Sequence, residues 1–312
     1  MVDRGENAAQ RACRARHDAL QKLADYCRAL RVRDWLKNLL LFAPLVAAHK
    51  VGDGARLMHA AIAFVAFGLS ASSVYVFNDL IDIEQDRRHP RKKDRPFASG
   101  RVPVKHGLIA IPLLLVGSFS ISLLQLSTRF AFVIALYVLL NLAYSFRLKA
   151  IPILDVLLLA GLYTLRIFGG SVVTDIWLSP WLLIFSMFLF FSLALIKRYA
   201  ELMVMRKVDG ENSRARGYRL DDAELLAALG GGAGYLAVLV LAFYIESGAG
   251  NNLYGRPSML WALCVLLLYW ISHLWLVAHR QEMEDDPLLF TLRDPVSRVL
   301  MILMVLIYIS AL

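Results

Sequence analysis

Between Asn78 and Gly100 the chain reads NDLIDIEQDRRHPRKKDRPFASG, its densest run of charge, directly after about twenty apolar residues. Asp79, Asp82 and Asp86 stand at i, i+3 and i+7. On a continuing helix Asp86 falls about 20° and Asp82 about 60° from Asp79 in azimuth, so three carboxylates would share one face. Like charges at helical spacing repel unless a cation lies between them. Oxygen-only donors suit Mg²⁺, a hard ion that keeps several waters and is commonly shared with substrate phosphates. The expected metal ligands on this spacing are the carboxylates of Asp79, Asp82 and Asp86. Arg87, Arg88, His89, Arg91, Lys92, Lys93 and Arg95 follow at once, so the expected guest is a diphosphate bridging the ion and these cations. A merely solvated helix end would not require this density. His89 precedes a proline and is read as a diphosphate donor or a turn residue, not a ligand, because magnesium prefers oxygen.

These residues must be positioned by membrane helices. Hydrophobic residues make up 58% of the 312 positions and charged ones only 19%, which does not fit an ordinary soluble domain. Apolar spans are read at Lys37 to Ala48 with its flanks, Leu57 to Phe77, Gly107 to Leu126, Phe130 to Phe146 and Ile151 to Val172. Trp181 to Ile196, Gly231 to Ile245, Ser258 to Ala278 and Pro295 to Leu312 complete nine helices, an all-α polytopic membrane protein. The polar first thirty residues show no cleavable signal peptide. Of 34 Lys and Arg, 29 fall in the N-terminal segment and alternate loops, 4 in the opposite loops, and Arg166 inside the fifth span. The positive-inside rule then puts the N-terminus and the aspartate loop on the cytoplasmic face of the inner membrane and the C-terminus outside. The net charge of +9 is mostly this topology signal with attraction to anionic lipid, and nucleic-acid binding is not expected. Residues 1–30 read as a cytoplasmic amphipathic helix, with Leu20, Leu23, Ala24, Cys27 and Leu30 on one face, lying on the membrane or frayed; residues 31–312 read as one catalytic domain. Cys13, Cys27 and Cys264 are too scattered for a disulfide framework or a zinc site.

Further polar residues stand out against this apolar background. Asp155 opens the fifth span just after Arg147 and Lys149, and would bind a metal or a sugar hydroxyl, or else pair with those cations. Arg166 lies about three turns deeper on the same face, either for a phosphate or carboxylate or as a hydrogen-bonding strut. Glu201, at i+4 from Lys197, is expected to pair with it and aim it at a cavity. Arg214, Arg216, Tyr218 and Arg219 form a basic-aromatic cluster, read as a cap on the site or a headgroup contact; Tyr75, Tyr144, Tyr163 and Tyr199 suit the interface belt.

The pattern NDxxDxxxD followed by RPxxSG resembles the first aspartate-rich motif of the UbiA superfamily of intramembrane prenyltransferases, across roughly residues 30 to 312. Asp86, Arg87, His89, Pro90, Lys92, Arg95 and Pro96 match the longer DRxHPxKxxRP, which resembles the branch of decaprenyl-phosphate phosphoribosyltransferase. KRYAEL, Lys197 to Leu202, and RVRDWLKNLLLFAPL, Arg31 to Leu45, are further marks of it. The family's second aspartate pair is reduced to Asp155, which weakens a two-metal prenyl-diphosphate reading. The resemblance implies a nine-helix bundle around a central cavity and transfer of 5-phosphoribose from phosphoribosyl pyrophosphate to a polyprenyl phosphate, for a cell-wall or surface-glycan precursor. Asp79, Asp82, Asp86, Lys92 and Arg95 would then be catalytic, and Asn78 would join Asp79, Asp82 and Asp86 as a ligand of Mg²⁺. Lys37, Asn78, Arg87, His89, Arg147, Lys149, Asp155, Arg166, Lys197, Arg198 and Glu201 would contact substrate, several as candidates for the 5-phosphate and lipid phosphate. Prenyl transfer from a polyprenyl diphosphate to an aromatic or other acceptor is the alternative enzyme, and a cation-coupled transporter a remote one.

Overall fold

The computed structural model describes residues 8–88, 92–209, 214–215, 217–247, 253–283 and 286–312. They are all-α apart from one two-residue antiparallel pairing, Arg214–Ala215 (β1) with Tyr218–Arg219 (β2). Seven helices are long and apolar enough to cross a bilayer: Gly54–Ile81 (α3), Val104–Leu126, Thr128–Phe146 (α6), Leu154–Thr174 (α7), Pro180–Arg206, Leu220–Glu246 and Pro257–His279. Five overlay an expected span within a few residues, while Pro180–Arg206 runs ten residues past the expected end at Ile196 and Leu220–Glu246 begins eleven before the expected start at Gly231. Pro295–Ala311 is apolar but shorter, 17 residues. The expected span at Lys37 to Ala48 is different in kind: Val32–Phe42 is a 3₁₀ helix and Ala43–Ala47 (α2) a single α turn. Pro44 accounts for part of this, since it stands in the first turn of α2, where its missing N–H is tolerated but an α-helix arriving from the N-terminal side would be broken. Among the described residues there are therefore seven spanning helices and one shorter apolar helix rather than nine.

The chain divides into two compact units, and each is described by itself. The first holds Met1–Leu39 and Gly52–Val138. Asp53 caps α3 by accepting from the Arg56 backbone N–H at 3.1 Å. Gly68 lets Trp35 lie against α3, since a Cβ there would stand 2.6 Å from the indole; Trp35 Nε1 donates to Ser72 Oγ at 2.8 Å. The N-terminal helix, Ala8–Ala29 (α1), is fixed by Asp25 to Arg101 (3.0 Å) and by Tyr26 to His106 (2.7 Å). Asp25 and Ala29 are buried and Leu30 half-buried, while Leu20, Leu23, Ala24 and Cys27 are exposed.

The second unit holds Leu40–Val51 and Leu139–Leu312. Its core gathers Val156, Ile167, Phe190, Leu195, Leu226, Trp270 and Ile271 from four helices. Small residues permit close approach: a Cβ on Gly170 would lie 2.0 Å from the Leu41 carbonyl oxygen. Outward positions such as Leu139 and Val265 stay apolar and exposed, as a lipid-facing surface requires.

Candidate active site

The aspartates do not ride one continuous helix. α3 ends at Ile81, Asp82 has φ −89° and ψ 8°, and a short helix restarts over Ile83–Arg88 (α4). Asp82 N–H still donates to the Asn78 carbonyl at 3.0 Å, and Asp86 N–H to the Asp82 carbonyl at 2.8 Å, so the break bends the path without severing it. Asp79 and Asp86 end up buried, Asn78 and Asp82 half-buried. The chain then turns back through Lys92–Asp94, where Arg95 N–H donates to the Lys92 carbonyl at 3.0 Å. That turn brings Arg95 Nη1 to 3.0 Å from Asp79 Oδ1 and 2.7 Å from Asp86 Oδ2, one nitrogen between two buried carboxylates. Arg31 grips Asp79 as well, donating from Nε to Oδ2 at 3.3 Å and from Nη2 to the Oδ1 that Arg95 shares. Burial opposes the Arg31 charge, but Asp79 outweighs it and holds the guanidinium above its usual range.

Arg87 Nε donates to the Ala98 carbonyl at 3.1 Å and so fixes the returning loop; Lys92 is half-buried. Lys37 pairs with Asp34 at 3.2 Å. His89, Pro90 and Arg91 lie outside the described residues, as does Arg216. Among the described residues no three His, Cys, Asp or Glu side chains gather as a metal site. The donor chemistry nevertheless fits a hard divalent ion: the buried carboxylates of Asp79 and Asp86 converge on one cationic nitrogen, and both are oxygen donors.

A second polar cluster lies in the other unit. Arg198 is fully buried; its Nε stands 2.7 Å from Asp155 Oδ2, itself fully buried, off the axis of a straight hydrogen bond. Arg198 Nη1 pairs with Glu201 and Nη2 donates to Tyr144 Oη at 3.3 Å. Tyr218 Oη donates to Asp155 Oδ1 at 2.6 Å and accepts from the Ile153 N–H at 2.6 Å. Burial first, and then the bond to Asp155, push the Tyr218 hydroxyl above its ordinary pKa. Ile153 has φ +67°, a real outlier for a β-branched residue, and Gly217, at φ +87°, packs where a Cβ would stand 2.4 Å from the Ala150 carbonyl.

This geometry revises two expected pairings. Asp155 pairs with Arg198 and Tyr218, not with Arg147, which is exposed, or Lys149, which is half-buried. Lys197 pairs with Asp286 at 3.1 Å, while Glu201 goes to Arg198, because a fully buried guanidinium draws the nearest carboxylate. Arg166, buried, donates back to the Leu162 carbonyl at 2.6 Å and sits 5.6 Å from the Tyr163 ring centre, as a strut does. Arg31, Asp286 and the Tyr218 bond were not assigned from sequence. Tyr218 carried a signal as part of the basic-aromatic cluster and Arg31 as the first residue of RVRDWLKNLLLFAPL; Asp286 has no local mark.

The UbiA prenyltransferase family matches over residues 39–293. An uncharacterized protein, y4nM of Sinorhizobium fredii, is 38% identical over 274 residues, 88% of this chain; the chain spans about half of it, 53%. Nodulation protein NoeC of Azorhizobium caulinodans is 35% identical over 279 residues, 88% of this chain and 89% of that one. Decaprenyl-phosphate phosphoribosyltransferase of Mycolicibacterium smegmatis is 40% identical over 186 residues, 58% of each chain. The structure of a UbiA homolog from Archaeoglobus fulgidus bound to DMAPP and Mg²⁺ shares the fold, with TM-score 0.68 at 16% identity over 92% of this chain and 100% of that one.

Proposed function

The chain belongs to the UbiA prenyltransferase family of integral membrane proteins, and from that premise we propose that it transfers 5-phosphoribose from phosphoribosyl pyrophosphate to a polyprenyl phosphate. The observation that carries this reading is Arg95 clasped between Asp79 and Asp86, because it places the second half of the DRxHPxKxxRP motif on the first. The motif's resemblance to phosphoribosyltransferases thus concerns residues that touch one another. The partial likeness to decaprenyl-phosphate phosphoribosyltransferase supports the same choice.

Asp79 and Asp86, with Asp82 and Asn78, would hold Mg²⁺, which when bound neutralises a diphosphate and favours its departure. Lys92 and Arg95 take up the negative charge that develops as the bond from C1 to the diphosphate oxygen breaks. An oxygen of the lipid phosphate attacks C1 from the opposite face, giving polyprenyl-phosphoryl 5-phosphoribose and pyrophosphate with inversion. That oxygen is already anionic, so no strong general base is required. Arg147 and Lys149 are assigned to the lipid phosphate, since one is exposed and the other half-buried at the end of α6. Asp155 and Arg198 are assigned to holding helices rather than substrate, since both are fully enclosed. On this reading the aspartate loop and the N-terminus face the cytoplasm, where the soluble donor is found.

The test is direct. Membranes carrying the protein are given radiolabelled phosphoribosyl pyrophosphate, polyprenyl phosphate and Mg²⁺; label is expected in the lipid phase, and Asp82→Asn is expected to abolish it. A polyprenyl diphosphate offered with an aromatic acceptor is expected to release no pyrophosphate. Release there, with no label moved in the first assay, would establish prenyl transfer instead.

A further inference from the structure

A cavity of about 350 Å³ lies within the first unit, where the end of α1 meets the aspartate loop. Arg28, Arg31, Arg33 and Arg95 line it, against the carboxylates of Asp34 and Asp79. Arg28 is also drawn to Asp25 at 3.4 Å and Arg95 to Asp86 at 2.7 Å, so the guanidiniums are held by partners as well as presented to the cavity. Arg31 is the centre of the arrangement. Its backbone sits at φ +49°, a conformation that a non-glycine residue keeps only where the surroundings impose it. Hydrogen bonds from Arg31 N–H to the Arg28 carbonyl (3.1 Å) and from Asp34 N–H to the Arg31 carbonyl (2.8 Å) hold that reversal. The side chain is thereby turned onto Asp79 and over the Tyr75 ring, 5.2 Å from its centre.

With their partners counted, Arg28, Arg31, Arg33, Arg95, Arg101 and Lys37 stand against Asp25, Asp34, Asp79 and Asp86, so the surroundings of the cavity keep an excess of positive charge, and planar forks of this kind suit phosphate oxygens. A prenyl diphosphate has one charged end, already served by the aspartate loop, and a hydrocarbon tail with no use for such a wall. A phosphoribosyl donor carries a second phosphate at its far end. We propose that this cavity is the binding site for the phosphate monoester of the donor, with Arg31 and Arg33 as its principal donors. The inference rests on the phosphoribosyl reading of the reaction. Arg31 and Arg95 meet on one Asp79 oxygen, so the two ends of the donor are read by guanidiniums that share a carboxylate.

Cys27 is exposed and stands on the wall of the cavity, whereas Cys264 is buried, so its thiol reports on occupancy. In the full chain carrying Cys13→Ser, reconstituted in lipid nanodiscs, the rate of maleimide attachment to Cys27 is followed by intact mass spectrometry. Ribose 5-phosphate is expected to slow it, about tenfold at ten times its dissociation constant, and ribose is not. Arg33→Gln is expected to abolish the protection. An unchanged rate with ribose 5-phosphate, or equal slowing by ribose, overturns the proposal, and the wild-type comparison stands if the variant fails to fold. If label from phosphoribosyl pyrophosphate reaches lipid while ribose 5-phosphate leaves Cys27 unprotected, the cavity is wrong and the reaction stands. If ribose 5-phosphate protects while no label moves, the cavity is a phosphate-monoester site and the reaction is wrong.

Discussion

Replacing Arg198 with methionine tests whether the Asp155 cluster holds its unit together. Both side chains are fully buried, and Arg198 Nε lies 2.7 Å from Asp155 Oδ2. Arg198→Met retains most of the volume but leaves the Asp155 carboxylate with the Tyr218 hydroxyl and no counter-charge. Removing one partner of a buried pair costs about 3–5 kcal/mol. For a chain of this size each kcal/mol is worth about 2 °C, so the apparent Tm should fall by about 6–10 °C. Differential scanning fluorimetry at a fixed scan rate in one detergent reads this shift. Adding Asp155→Asn keeps an acceptor for Tyr218 and removes the stranded charge, so the double variant should recover more than half of the loss. A fall of about 1 °C or less for Arg198→Met, in the range of an ordinary surface substitution, would refute the reasoning; so would a double variant whose loss equals the sum of the two single ones.

Tyr218 carries a pH dependence. Its hydroxyl pKa is raised in the fold, so its contribution to stability is fully present below the unfolded value of about 10 and is lost as pH rises beyond it. The Tm difference between the wild type and Tyr218→Phe should therefore be constant up to about pH 9.5 and shrink above it. Gly170→Ala drives a Cβ to within 2.0 Å of the Leu41 carbonyl oxygen, backbone that cannot swing aside, and is expected to destabilise by about 3 kcal/mol or more in the same scan.

The spans were legible because the bilayer sets their length and composition, and the seven long helices fall where apolar runs are read. The aspartate loop was legible as a site because its density of charge has no structural need. Its geometry was not. Helical spacing puts Asp82 beside Asp79 and Asp86, but the backbone breaks at Asp82, and the two outer aspartates meet instead through Arg95. Local spacing likewise pairs Lys197 with Glu201, yet Asp286, remote in sequence, reaches the lysine first. Periodicity sees partners one turn away and is blind to those brought up by tertiary packing. The 3₁₀ path of Val32–Phe42 was hidden for a related reason, since an apolar run bounds the depth of a segment but not its pitch.

The Arg198 cluster also bears on how the chain is made. A guanidinium is costly to leave bare near lipid, and synthesis delivers residues in order. Tyr144 and Asp155 have emerged before Arg198, and Glu201 follows within the same turn. The charge therefore never waits for the far end of the protein, and Tyr218, arriving next, closes the cluster from outside the helices. The order of the partners along the chain lets α6, α7 and the helix carrying Arg198 be committed to one another before the last helices have left the ribosome.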